Sequence, residues 1–283
     1  MKKRKKTFTL QRGLTLTFML LFILSTDMLI RDLLRSTREH AVNEALVQRV
    51  KKSSTQPDSF SQSTIPSQDA QTQSMPESEP EPDRNYLPLL QENSHLAAWL
   101  TIGGTEVDYP VLYTPDDPEY YLRKAFDGSY ALSGSLFIGD GCVPDGTNII
   151  IYGHKMKDGS MFGSLNSYAD EDYAREHSEI TYDLIQSDGS YKRLTFEVMA
   201  AFYSRIYKVD EENVFRYYYS TDLSDADDFQ YYVDEVVTAS MYDLGVTAKY
   251  GDRLLTLSTC SYHTDNGRFV VVAREKNSST PVL

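Results

Sequence analysis

Basic residues are scarce beyond the first 52 positions. Residues 1–52 hold 12 of the 28 Lys/Arg and only 4 of the 41 Asp/Glu, so residues 53–283 set 16 basic against 37 acidic side chains, a net charge of −21. Such a surface repels phosphate backbones and excludes nucleic acid as a partner. Cysteine is scarcer still, with only Cys142 and Cys260 in 283 residues. At most one disulfide is possible, and the 41% hydrophobic content has to supply a core. No internal repeat is seen. Also missing from "ILSTDMLIRDLLR" is a small-residue A-x-A exit, so a cleaved secretory signal is not expected.

What the N-terminus does have is a basic tail, residues 1–13, followed by an apolar run, residues 14–30, interrupted only by threonines, Ser25 and Asp27. That length sits at the lower limit for a membrane span, and an uncleaved transmembrane signal-anchor is expected there, with an amphipathic surface helix as the alternative. Six Lys/Arg precede the run and four follow within twenty residues, which places the N-terminus in the cytoplasm and the rest outside the cell. Residues 31–52 read as a charged juxtamembrane helix with Leu33, Leu34, Val42, Leu46 and Val50 near helical period. Residues 53–85 are rich in Ser, Gln, Pro and Glu and read as a disordered stalk.

From Tyr86 to about residue 277 the composition becomes that of a folded domain, with a short tail at 278–283. "NYLPLLQENSHLAAWLTI" suggests a short helix ending near Trp99. "TEVDYPVLY", "GSLFIG", "TNIIIYGH", "KRLTFEVMAAFYS", "RLLTLSTC" and "RFVVVARE" are β-rich runs bounded by Gly, Asp, Asn and Pro. So many short strands predict a mostly β domain, a closed or partly closed barrel or a sandwich. Residues 224–243 read as a helix with an acidic first turn and Phe229, Val233, Val236, Val237 and Met241 on one face.

Cys260 ends one strand and Arg268 opens the next, and a hairpin of this kind makes thiol and guanidinium neighbours. A nearby cation favours the nucleophilic thiolate. His263, three residues on, belongs to the intervening loop. His154, just after "NIIIYG", is the better candidate for a partner base, whereas His40, His95 and His177 read as structural or surface residues. No metal ion or cofactor is expected. Pairing Cys142 with Cys260 would consume the nucleophile, so both are expected as free thiols.

"TLSTC" followed by an Arg at the head of a valine-rich strand, with "IIIYGHKMKDGSMF" upstream, resembles the sortases, and most of all class B, the cysteine transpeptidases that attach proteins to Gram-positive cell walls. The resemblance extends over nearly all of residues 86–277. It implies a sortase-type closed β-barrel with a short N-terminal helix and a long helix inserted before the cysteine strand. It further implies Cys260 as nucleophile, His154 as acid/base, Arg268 as oxyanion and substrate-positioning residue, and Leu122, Ser258 and Thr259 in the peptide groove. The implied partners are secreted proteins bearing a C-terminal sorting signal and an amine of a lipid II type peptidoglycan precursor. Ser261, Pro118 and Cys142 depart from the class pattern and leave the sorting motif open. Two alternatives remain: a pilin-polymerising sortase, although the Asp-Pro-aromatic motif of its lid is absent before Tyr86, and a catalytically silent peptide-binding module. A papain-like hydrolase is disfavoured, because there the cysteine precedes the histidine in the chain.

Overall fold

The computed structural model describes residues 3–52 and 84–276. Nearly all of the expected stalk and the whole of the tail at 278–283 lie outside the described residues. The chain divides into two units, one up to Ala45 and one from Leu46 onward. The first belongs to a single helix, α1 (Lys3–Lys52). Its side chains at Leu16, Phe18, Leu20, Phe22, Leu24 and Leu29 are exposed. No helix among the described residues is long and apolar enough to cross a membrane, so the spanning role expected of residues 14–30 is not supported by the fold. The apolar run gives way at once to Arg31 and Asp32.

In the second unit eight strands, β1 (Leu96–Ile102), β2 (Asp108–Leu112), β3 (Leu136–Ile138), β4 (Asn148–Tyr152), β5 (Glu179–Ile185), β6 (Tyr191–Arg205), β7 (Leu254–Cys260) and β8 (Gly267–Glu275), close into a barrel. Around it the order is β1-β2-β3-β4-β7-β8-β6-β5. Pairing is antiparallel except between β2 and β3 and between β4 and β7. Helices α2 (Leu87–Glu92), α3 (Glu171–Glu176) and α4 (Ala226–Ala239) lie in the connections. The mostly β barrel expected from the sequence is present, with its short N-terminal helix and its longer helix before the cysteine strand.

The valine run of β8 explains how that longer helix fits. Phe269, Val271 and Ala273 point into the barrel core, while Val270 and Val272 join a second cluster with Phe229, Tyr232, Val233 and Val236 of α4. A strand buried on both faces needs continuous rather than alternating apolar residues. Helix α4 begins where Asp225 accepts hydrogen bonds from the backbone N–H groups of Asp227 and Asp228, at 2.8 and 3.2 Å. Its buried positions follow the i, i+3, i+4, i+7 pattern. Val237 and Met241, expected on this face, are exposed: Val237 lies off the stripe and Met241 falls beyond the helix end at Ser240.

The expected helix ending near Trp99 also needs correction. Helix α2 stops at Glu92 and the chain turns extended at Asn93. Trp99 sits on β1, which pairs with both β2 and β5. Two ladders of hydrogen bonds override the helical leaning of "LAAWL". On the next two strands Asp183 of β5 faces Arg193 of β6. Asp183 is buried; the Arg193 Nε and Nη2 groups donate to its two oxygens at 2.7 and 2.9 Å, and the Tyr86 hydroxyl donates to it at 2.7 Å. Arg193→Met strands that carboxylate without its cation, and denaturant unfolding is expected to show a loss of about 3 kcal/mol. Adding Asp183→Asn should recover part of the loss.

Candidate active site

Strand β7 organises the cleft. Its last residue, Cys260, is paired in register with Arg268 on β8, so the two side chains stand side by side on one face of the sheet. The connection is held by hydrogen bonds from Ser261 N to Gly267 O (2.9 Å) and from Gly267 N to Thr264 O (3.1 Å). Only glycine fits at 267, since a Cβ there would lie 2.2 Å from the Ser261 carbonyl oxygen. The hairpin expected from the sequence thus brings thiol and guanidinium together.

His154 reaches the same place by the parallel pairing of β4 with β7. Tyr152 is in register with Ser258, the Gly153 N–H donates to the Ser258 carbonyl (3.2 Å), and Thr259 Oγ1 donates to the Gly153 carbonyl (2.8 Å). Continuing that register by two residues sets His154 alongside Cys260. A Cβ at Gly153 would come within 2.4 Å of Leu136 and 2.6 Å of Phe162, so a glycine must precede the histidine. His154 Nε2 lies 2.8 Å from the Leu122 carbonyl oxygen. A carbonyl can only accept, so Nε2 carries the proton and Nδ1 of the neutral ring is left as the basic nitrogen. Burial holds the imidazole below its usual range; the Leu122 hydrogen bond opposes this, and the nearby Arg123 and Arg268 cations add to it.

Cys260, His154 and Arg268 line one cleft of about 820 Å³. Its other walls are Pro118, Glu119 and Leu122 from the stretch after β2, Gly139, Asp140 and Gly141 after β3, and Ile206, Tyr218, Tyr219 and Thr221 from the connection between β6 and α4. Arg268 Nη1 donates to the Gly267 carbonyl at 3.1 Å, while its Nε and Nη2 groups have no partner among the described residues. The three expected groove residues all line this cleft, but they do different things. Leu122 presents an exposed side chain and holds His154 by its carbonyl. Ser258 and Thr259 are buried with their hydroxyls already engaged, Ser258 with the Tyr217 hydroxyl at 2.7 Å and Thr259 with Gly153.

His263 is exposed, 3.0 Å from the Ser261 hydroxyl, and is not among the cleft residues. Cys142 and Cys260 are both free. Cys142 is packed into the barrel core, where burial pushes its thiol up to about 11. The tyrosine wall, from "FRYYYS", was not anticipated: three successive tyrosines carry no periodic signal, and only their burial sorts Tyr217 from Tyr218 and Tyr219. Among the described residues no group of His, Cys, Asp and Glu is placed to hold a metal ion.

A family model for the sortase domain matches residues 100–276. The chain is 35% identical over 193 residues to Sortase B of Listeria monocytogenes serovar 1/2a, covering 66% of this chain and 73% of that protein. To Sortase B of Staphylococcus aureus it is 28% identical over 186 residues, covering 64% and 70%. Among solved structures, Clostridium perfringens sortase B aligns with a TM-score of 0.58 at 29% identity, over 68% of this chain and 99% of that one. A Staphylococcus aureus sortase B–substrate complex aligns at 0.57 and 26%, over 69% and 85%. Matched along this much of its length, the chain belongs to the sortases, a family of cysteine transpeptidases. Its relatives are class B enzymes, and so is this chain.

The protonation state of His154 is directly observable. Its ring C–H resonances are expected to titrate with a midpoint below 6.5, and Arg123→Gln should move that midpoint upward by removing a nearby cation. Because folding favours the neutral ring, its contribution to stability is complete above the unfolded value of about 6.5 and declines as the pH falls through the lower folded value.

Proposed function

We propose that the enzyme cleaves a C-terminal sorting signal of secreted surface proteins through a thioester on Cys260 and transfers the acyl group to an amine of a cell-wall peptidoglycan precursor. The register pairing of Cys260 with Arg268, with His154 in the same cleft, carries this reading. As the Cys260 sulfur attacks the scissile carbonyl, neutral His154 takes the thiol proton. The unpartnered donors of Arg268 hold the oxyanion. The C–N bond then breaks, the departing amine takes the proton from His154, and a thioester remains. An acceptor amine attacks that thioester, gives up a proton through His154, and leaves a new amide and a restored thiol. A solved sortase B, 28% identical to this chain, is complexed with triglycine, a peptide with a free amino group, which supports an amine acceptor of that kind here.

The same reading attaches the enzyme to a membrane through α1, supported by the exposed apolar side chains between Leu16 and Ile30 and the basic residues before them. A contiguous exposed apolar stretch of this kind is unfavourable in water and marks a site of contact. The full chain is expected in the membrane pellet after carbonate extraction, and a chain lacking residues 1–45 in the supernatant. Full-length protein released by carbonate would contradict the attachment.

Arg268 tests the chemistry. A lysine keeps the charge but not the planar fork of donors. Arg268→Lys is expected to slow single-turnover acylation by roughly 10²-fold or more, as loss of an oxyanion donor does, with the folded state unchanged. A lysine variant within a few-fold of wild type would reduce Arg268 to a nearby charge.

A further inference from the structure

The connection from Ile206 to Asp225 supplies one wall of the cleft, Ile206, Tyr218, Tyr219 and Thr221, yet it consists of loops and a single 3-10 turn, Tyr217–Tyr219. A strand gets its position from a ladder of backbone hydrogen bonds; beyond Ile206, whose N–H donates to the Asn266 carbonyl at 3.0 Å, this wall has no such ladder to rely on. It is tied to the barrel by side chains. The Tyr217 hydroxyl and Ser258 Oγ are hydrogen-bonded at 2.7 Å, both fully buried, and Ser258 is two residues from Cys260 on β7. Further along the turn, Asn148 Nδ2 donates to the Ser220 carbonyl at 2.7 Å, and Asn148 Oδ1 accepts from Thr256 Oγ1 of β7 at 2.9 Å. Tyr218 is fixed in turn by the Tyr207 N–H, which donates to its hydroxyl at 3.0 Å. The wall is thus pinned at both ends of one turn to the strand that carries the thiol.

We propose that Tyr217 is a positioning residue for transpeptidation, acting through Ser258 to set the distance between the tyrosine wall that receives the peptide and the sulfur of Cys260. This rests on Cys260 being the nucleophile. Tyr217 touches neither substrate nor sulfur; its neighbours Tyr218 and Tyr219 meet the peptide, and its hydroxyl fixes where they stand. A peptide bound against a displaced wall presents its carbonyl off the line of attack, and small misplacements of reacting groups are costly to rate. The reading also gives Ser258 a role its burial permits, that of an internal tie rather than a donor offered to the substrate.

A double-mutant cycle tests it, with Tyr217→Phe, Ser258→Ala and the double variant of the full chain. The probe is an internally quenched sorting-signal peptide containing a Thr-Asn bond, with triglycine as acceptor. Tyr217→Phe and Ser258→Ala are each expected to lower kcat roughly tenfold, as loss of one buried hydrogen bond does, with KM within about twofold. The double variant should lose no more than either single variant, because both act through one bond. It should also be at least as stable as either, since it leaves no buried hydroxyl unpaired. Alkylation of Cys260 by iodoacetamide, which makes no use of the wall, should stay within about twofold of wild type in all three. Additive losses, an unchanged kcat in Tyr217→Phe, or alkylation that falls in step with kcat would each overturn the proposal. A wild-type control in which the peptide is cleaved with no adduct at Cys260 would instead remove the nucleophile on which it rests.

Discussion

Strand β7 is the element on which the rest of the cleft depends. It pairs in parallel with β4 on one side and antiparallel with β8 on the other. The first pairing brings His154 to its end, the second brings Arg268, and the strand itself ends in Cys260. Three residues spread over more than a hundred positions are therefore placed by backbone ladders rather than by flexible side chains. A shift by one residue in either register would turn a side chain to the opposite face and dissolve the arrangement. What prevents the shift is packing on both faces, because β8 feeds the barrel core with Phe269, Val271 and Ala273 and the α4 cluster with Val270 and Val272.

Two glycines complete this constraint. Gly267 lets the Ser261 carbonyl approach at the base of the hairpin, and Gly153 lets the chain pass beside Leu136 and Phe162 before delivering His154. On the far side of the cleft the means of support are different. Tyr218 and Tyr219 stand on a segment held by hydroxyl and amide ties, so the chemical centre is built on strands and the groove wall on a loop. That division suits a transpeptidase: the reacting groups need fixed geometry, whereas peptide recognition varies with the client.

Much of this was legible in the sequence where apolar runs are bounded by turn residues. "NIIIYG", "RLLTLSTC" and "RFVVVARE" read as strands, the last two as a hairpin, and Asp225 with its acidic neighbours marks the start of α4. Cys260, His154 and Arg268 were named from the same stretches, and the fold brings all three to one cleft. Strand β5, "EITYDLI", was not recognised, because its Asp183 looks like a solvent residue until Arg193 and Tyr86 are seen around it. "LAAWL" misled in the other direction, since helix-favouring residues form β1 once two neighbouring strands pair with them. Ser258 and Thr259 line the cleft, but that their hydroxyls face inward depends on Tyr217 and Gly153, which lie 41 and 106 residues away in the chain. Short-range patterns do not carry such contacts.

The account's central claim is that the end of β7 is where the covalent step takes place. Intact-protein mass spectrometry of the full chain, quenched with acid during turnover of a sorting-signal peptide without added amine, tests this most directly, followed by peptide mapping. The account predicts a mass increase equal to the acyl fragment, located on Cys260 and abolished in Cys260→Ala, with Cys142 unmodified. An acyl adduct on Cys142, or cleavage of the peptide that survives Cys260→Ala, would contradict it.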